Sequence, residues 1–559
     1  MAKHAHGSNA LDWAYYWEHN APDKPYLTQP LGNGGVKEYT WKQALDEARR
    51  MAAHLRGLNL PAKSQVALVS KNMAHWIIAD LAIWMSGHVT VPVYPTLSAE
   101  GAQQILEHSE AKLLFVGKLD DWDGMKGGVP EGLPMIALPL SPPVNAPKWD
   151  EIIREHEPIS DSPVPKGEEL ATIIYTSGST GVPKGVMHTF DTMAAISHAS
   201  EDLMAKPEDR MLSYLPLAHS YERTWVEVAS MYSGMHLYFA ESLDTFVQDL
   251  QRARPTIFVS VPRLWVRFQL GVWSKVPEEK LNKLLKIPVV SWLVKRKVLK
   301  GLGLDKVRLA ASGSAPLPPD VLVWYRRLGL NLLEGYGMTE NSSYSHASRS
   351  GRSRIGYVGD SQPSVETRIS DNGEILVKSP GTMIGYFKAP DLTREVLTED
   401  GWLHTGDMGE VDDHGRLRIT GRLKELFKTS KGKYIAPSPI ENKLTNHPMI
   451  EQVCVSGENQ SQPYALVLLS DEARAKAQSE AGRKAIEAAL QAHLEAVNQT
   501  LEHHERLDFL AVVKDNWLTE NGFLTPTMKV RRSIIENAYA GLTAGWYAEQ
   551  KPVVWQSAA

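Results

Sequence analysis

The sequence predicts an α/β protein. A large N-terminal domain of parallel-type sheets covered by helices, with an antiparallel β subdomain, precedes a small, mobile α+β C-terminal domain. Three observations predict this. The chain has 559 residues, more than a single core of ~150 residues accounts for. Short apolar runs alternate with helical patterns through its first two thirds, as a parallel sheet buried on both faces requires. The texture then changes near residue 360 and again near residue 421.

The first clear helix begins at Thr40, which forms a capping-box pattern with Gln43. Trp41, Ala44, Leu45, Ala48, Ala52 and Leu55 keep the helical period until Gly57. Strands follow at 65–70 (QVALVS), 89–94 (VTVPVY), 112–117 (KLLFVG), 171–176 (ATIIYT), 256–261 (TIFVSV), 307–312 (VRLAAS) and 330–335 (LNLLEG). Beyond 360, GEILVKSPG and GWLHTGDMGEVDDHGRLRITGR alternate strands with Gly and Asp turns, the pattern of an antiparallel meander. A Lys-rich loop, an α+β pattern and an Ala/Glu-rich helix around 471–498 end the chain. The expected boundary divides 1–422 from 423–559, with a hinge over 422–425.

Composition narrows the function. Sixty Lys and Arg against 65 Asp and Glu leave a net charge of −5, so no global basic footprint marks a nucleic-acid partner. The single cysteine, Cys454, can form neither an internal disulfide nor a multi-cysteine metal site, which agrees with a reducing compartment. The N-terminus lacks the apolar core of a signal peptide. The most apolar stretch, 66–95, is interrupted by Lys71, His75 and Asp80, short of the ~18 apolar residues of a membrane span. A cytoplasmic enzyme is the expectation.

The most informative segment is YTSGSTGVPKG (175–185), which leaves an apolar strand. It gathers Thr176, Ser177, Gly178, Ser179, Thr180, Gly181 and Lys184 into one loop. Glycines let backbone N–H groups approach a polyanion, hydroxyls add donors and the lysine adds a point charge, a set suited to a nucleotide triphosphate. It is not a Walker A loop, because Gly185 stands where a Ser or Thr would ligate magnesium.

With LPLAHSYER (215–223), ASGSAP (311–316), EGYGMTE (334–340), GWLHTGD (401–407), ITGRLKE (419–425) and LTPTMKVRR (524–532) following in order, the chain resembles the adenylate-forming superfamily of acyl-CoA synthetases, adenylation domains and luciferases. The resemblance implies a two-step reaction using ATP, Mg²⁺ and coenzyme A. In it, Tyr336, flanked by Gly335 and Gly337, stacks on adenine, and Thr339 touches the adenylate phosphate. Glu340 holds the metal with Thr176, and Ser312, Gly313, Ser314, Ala315 and Pro316 line the adenine pocket. Asp407 and Arg422 bind ribose.

By the same resemblance Lys529 is the mechanistic residue, carried on the terminal domain to the carboxylate and α-phosphate, where charge accumulates as pyrophosphate leaves. Lys424 falls at the hinge about which that domain rotates. Lys431 and Lys433 fall in the region presented to CoA. His219 lies near the reacting carboxylate; it orients or gates the substrate, or is a core histidine, and no general base is needed because a carboxylic acid is already ionised at neutral pH.

The segments 213–228 and 242–265 are most similar to bacterial long-chain fatty acyl-CoA synthetases, so a fatty acid and CoA are the expected substrates. Trp225, Trp265 and Met231 line an acyl channel or belong to the core. Residues 275–308 carry ten Lys or Arg against three acids, either a solvated face or a peripheral contact with an anionic membrane. The rivals are an acyl-AMP ligase loading a carrier protein, a CoA ligase for medium-chain or aromatic acids, and a non-catalytic acyl or nucleotide sensor. The oligomeric state stays open, a homodimer included.

Overall fold

A computed structural model describes residues 9–176, 183–199, 203–519, 521–525 and 528–556. Three sheets build the first 422 residues. A seven-stranded sheet runs in the order Gly385–Tyr386, Lys184–Thr189, Leu170–Thr176, Val89–Val93, Gln65–Val69, Leu113–Val116, Met135–Ala137. The last five pair in parallel and the first two antiparallel. The helix Trp41–Gly57 starts with the expected capping box, Thr40 and Gln43 satisfying each other's backbone N–H groups. It packs beside Ala74–Met85, a helix buried on every side, as its all-round apolar sequence demands.

A nine-stranded sheet begins with the parallel strands Ile257–Ser260, Leu309–Ser312 and Leu332–Tyr336. The antiparallel meander then continues the same sheet through His346–Ala347, Gly359–Ser361, Arg416–Arg422, Leu403–Val411, Glu374–Lys378 and Glu366–Ile369. A four-stranded sheet joins Gly35–Thr40, Pro25–Gly32, His236–Phe239 and Arg210–Ser213.

Side-chain alternation on the parallel strands decides where a ligand fits. Ile257, Val259, Leu309, Ala311 and Leu333 face a cavity. Phe258, Ala310 and Leu332, on the other side, join a separate core with Trp265 and Tyr325. Helices Glu278–Leu284 and Pro288–Gly301 lie on that second side, so the basic 275–308 segment is divided from the cavity by the sheet. No helix among the described residues is long and apolar enough to cross a membrane.

From Phe427 onward the chain builds its own two cores around a four-stranded sheet, Ile450–Ser456, Tyr464–Leu469, Leu510–Val513 and Val553–Trp555. An ion pair between Arg263 and Glu451 joins this unit to the larger one. Cys454 lies in it, fully buried. Burial pushes its thiol well above the ordinary value, which makes it a structural residue rather than a nucleophile.

Candidate active site

The phosphate-type loop is the connection of a hairpin. Leu170–Thr176 and Lys184–Thr189 pair antiparallel with Thr176 opposite Lys184, so both ends of the loop are fixed by ladder hydrogen bonds. Ser177, Gly178, Ser179, Thr180 and Gly181 lie outside the described residues. The Lys184 ammonium sits 5.2 Å from the centre of the Tyr386 ring, and the Tyr386 hydroxyl donates to Glu340 Oε1 at 2.9 Å. The loop lysine and the expected metal ligand thus flank one aromatic ring. Sequence reasoning missed Tyr386, which occupies the two-residue strand Gly385–Tyr386.

Glu340 belongs to a single 3-10 turn, Thr339–Asn341, immediately after the strand Leu332–Tyr336. That turn is pinned from below: His188 Nε2 donates to the Thr339 carbonyl at 2.7 Å, and Ser220 Oγ donates to Thr339 Oγ1 at 3.3 Å. Burial holds His188 down to about 4, so it is a neutral donor at physiological pH. Gly337 lies so close to Ser343 that an added Cβ would stand 2.6 Å from its carbonyl carbon, which excludes any side chain there.

Asp407 and Arg422 are cross-strand partners in the meander. Arg422 Nε donates to Asp407 Oδ1 at 2.9 Å and Tyr336 OH donates to Oδ2 at 2.7 Å. One carboxylate therefore fixes both the aromatic of EGYGMTE and the cation of ITGRLKE. Gly313, Ser314, Gly335, Tyr336 and Gly337 line the cavity. Ser312 is buried, whereas Ala315 and Pro316 are exposed and outside the cavity wall.

Lys529 reaches this cluster from the C-terminal unit. Its N–H donates to Thr525 Oγ1 at 3.1 Å, and Thr525 N–H donates to its carbonyl at 2.8 Å. Lys529 is exposed, yet its ammonium feels the charges of the larger unit. Loss of surrounding water and then the Arg422 cation draw its ammonium below the usual lysine value, while Asp407, Glu425 and Glu340 pull it up. Burial, followed by the Lys529 charge, holds His219 down to about 3. His219 accepts the Tyr221 N–H on Nδ1 at 3.1 Å and is neutral in any ordinary assay.

Lys529, Glu340, Asp407, Arg422 and His219 are thus electrostatic neighbours. Lys431 and Lys433 stand elsewhere, in the turn between Phe427–Lys428 and Tyr434–Ile435. Lys431 Nζ reaches Gln462 Oε1 at 3.5 Å, and Lys433 is exposed. Lys424 is exposed in the 3-10 turn Leu423–Glu425.

A cavity of about 870 Å³ runs from Gly335–Gly337 toward the N-terminal helix Ala10–Asn20. Its wall includes Tyr221, Trp225, Ala229, Tyr232 and Ser233, one stripe along the helical run 220–233. Trp225 therefore lines the channel, its indole held by a 2.9 Å hydrogen bond to the Ser343 carbonyl. Trp265 and Met231 are core residues.

The middle of that run, Arg223–Val228, is a π-helix, a form frequent at functional sites. Behind it Arg223 pairs with Asp80 at 2.9 Å and Glu227 at 3.7 Å, all fully buried. Glu222 accepts from Ser213, Asn72 and the Tyr214 N–H, and burial raises it to about 8. Its folded pKa lies above the unfolded value, so folding takes up a proton between them. Stability then falls as pH rises from about 4.5 toward 8, by at most ~1.4 kcal/mol per pH unit. Glu222→Gln removes this proton uptake. Melting temperatures between pH 5.5 and 8 should fall less steeply in the variant than in the wild type, and equally steep falls would contradict the assignment.

A nucleotide-type loop end, an aromatic held on a carboxylate, an incoming lysine and an apolar channel define an enzyme that binds an adenylate. Residues 15–387 match the AMP-binding enzyme family, and residues 425–551 its C-terminal domain. The chain belongs to the AMP-binding enzyme family. It is 32% identical to a long-chain-fatty-acid–CoA ligase of Mycobacterium tuberculosis over 94% of this chain and 95% of that protein. It is 31% identical to the peroxisomal long chain acyl-CoA synthetase 7 of Arabidopsis thaliana over 95% and 85%. The adenylation domain of a carboxylate reductase from Mycobacterium chelonae shares the fold, with a TM-score of 0.81 at 22% identity over 98% and 92% of the two chains.

Proposed function

We propose that the protein is an ATP- and Mg²⁺-dependent long-chain fatty acid–CoA ligase working through an acyl-adenylate. The observation that carries this reading is the length of the channel stripe. From Tyr221 to Ser233 the helical run rises at most about 18 Å, the α-helical value, its π-helical middle rising less per residue. An all-trans chain advances about 1.2 Å per single bond, by the geometry that sets the reach of an extended polypeptide, so this span holds at most roughly fifteen bonds. The lining is apolar and aromatic, and the relatives' names point to the same substrate class.

In the first step a carboxylate oxygen of the acid attacks the α-phosphorus of ATP. The α–β P–O bond breaks and pyrophosphate leaves with the electron pair. Lys529 offsets the charge gathering on the carboxylate and α-phosphate oxygens. Tyr336, Gly313, Ser314, Asp407 and Arg422 hold the adenosine, and Lys184 with the loop through Ser177, Gly178, Ser179, Thr180 and Gly181 holds the phosphates. Glu340 and Thr176 offer the hard oxygen donors Mg²⁺ takes, and the ion would supply further charge neutralisation there. His219 helps position the carboxylate.

In the second step the CoA sulfur attacks the acyl carbon and AMP leaves. The C-terminal unit, 423–559, turns about Lys424 to present Lys431 and Lys433 to the CoA phosphates. The buried Cys454 thiol suits a cytoplasmic setting, since it needs no oxidising partner. The test is palmitate-dependent exchange of labelled pyrophosphate into ATP without CoA. Exchange is the expected result, and no exchange with any long-chain acid would overturn the reading.

The basic helices offer a membrane contact beside this reaction. Ile287, Val289, Trp292 and Leu293 are 52–73% exposed among lysines, the composition of a helix that rests on anionic lipid. Because the sheet divides them from the cavity, such contact anchors the enzyme without feeding the channel. Val289→Glu with Trp292→Glu should halve, at least roughly, the fraction sedimenting with phosphatidylserine vesicles and leave turnover of dissolved acids unchanged; undiminished sedimentation would contradict it.

A further inference from the structure

The end of the cavity remote from Gly335–Gly337 is formed by the N-terminal helix Ala10–Asn20. Trp13, Tyr16 and Trp17, at helical spacings of three and four, stand on its cavity side. Tyr232, at the end of the channel stripe, meets Trp13 with ring centres 6.1 Å apart, and Trp13 meets Tyr16 at 5.4 Å. Trp17 closes against the turn that ends the stripe. Its Nε1 donates to the Met231 carbonyl at 2.9 Å, and Gly234, at φ +68°, lies where a Cβ would stand 2.4 Å from the Trp17 ring.

The opposite side of the helix is fastened. Ala10, Leu11 and Ala14 are buried in the main core. Asn9 caps the helix by accepting the Leu11 N–H at 2.9 Å and donates to the Pro165 carbonyl at 2.9 Å. Tyr15 OH donates to the Pro163 carbonyl at 3.2 Å. Arg49 grips Glu18 through two hydrogen bonds of 3.1 and 2.8 Å and covers the Tyr15 ring at 4.8 Å, a bidentate pair with a fixed geometry. A helix so tied presents its aromatic rings to the cavity as a fixed surface.

We propose that Trp13, Tyr16 and Trp17 are the stop against which the terminal methyl of the acyl chain rests, so that their distance from the reacting carboxylate sets the preferred chain length. This rests on the reading of the cavity as a long-chain acyl channel. The stop belongs to the helix Ala10–Asn20, whereas every group proposed to handle the nucleotide comes after residue 170. Chain-length preference can therefore change by substitution in this helix without disturbing ATP.

The test is kcat/KM for AMP release with CoA, over saturated acids from octanoate to eicosanoate, in the wild type, Trp13→Ala and Ala229→Phe. Removing the Trp13 indole should move the optimum about three carbons longer, at ~1.2 Å per bond. Octanoate, which does not reach the stop, should change by less than roughly twofold, within the few tenths of a kcal/mol expected of a site it does not contact. Ala229→Phe places a ring part-way along the stripe and should move the optimum to shorter acids. Its profile reads the same channel if Trp13→Ala fails to fold. An unmoved optimum in Trp13→Ala, or an equal change for every acid, overturns the stop alone. A folded Ala229→Phe with an unmoved optimum overturns the stop and the stripe together. No turnover of any fatty acid by the wild type overturns the channel reading and the stop with it.

Discussion

Lys529→Ala is expected to abolish formation of acyl-adenylate from acid and ATP while sparing thioester formation from supplied acyl-adenylate. The lysine is the group of the C-terminal unit whose ammonium feels Arg422, Asp407 and Glu340 and depresses His219, and the proposed adenylation gathers negative charge there as pyrophosphate departs. Removing one positioned donor from such a site costs roughly 10²–10³ in rate, and a full positive charge near two anions should cost at least that. The second half-reaction breaks no phosphoanhydride, and in the proposed cycle the C-terminal unit turns away from this arrangement before it. Single-turnover measurement of each half-reaction separates the two, and equal loss in both would contradict the division of labour.

Lys424→Pro should give the reverse pattern. Lys424 is exposed in the turn Leu423–Glu425, so the substitution acts on the backbone. Proline fixes its own φ near −65° and restricts the preceding residue, Leu423. On either side the chain is held. Arg422 is paired with Asp407 in the large sheet, and Glu425 accepts from Ser438 Oγ at 3.1 Å in the C-terminal unit. In the proposed rotation, backbone change would be confined to these few residues. Thioester formation should fall about tenfold or more and adenylation far less, the signature of a blocked conformational step. An undisturbed second step would remove Lys424 from the hinge.

The chemistry of the site was legible because it is local. The loop before Lys184 shows its task in its glycines and hydroxyls, whereas Glu340, Asp407 and Lys529 stand out only through the resemblance of their segments to the adenylate-forming superfamily. Groups that act across the fold were not. Tyr386 joins Lys184 to Glu340 only because the Gly385–Tyr386 strand pairs with Lys184–Thr189, and nothing in a two-residue strand announces that. The strand Pro25–Gly32 carries Pro25 and Pro30, residues that argue against a strand. Arg210–Ser213 and His236–Phe239 are four residues each, too short for a periodic signal. Sequence reasoning missed the N-terminal helix Ala10–Asn20, and its cavity-facing side is visible only in the fold. Parallel strands carried over well, since burial on both faces leaves an apolar run that sequence alone exposes.

The proposed reaction activates a long-chain acid as an adenylate and passes the acyl group to CoA. It is tested most directly by AMP release from purified protein over acetate, octanoate, palmitate, oleate and benzoate, each with and without CoA. Turnover that needs CoA and peaks at the long-chain acids is the expected result. Turnover confined to benzoate or acetate, or adenylate that accumulates without response to CoA, would contradict it.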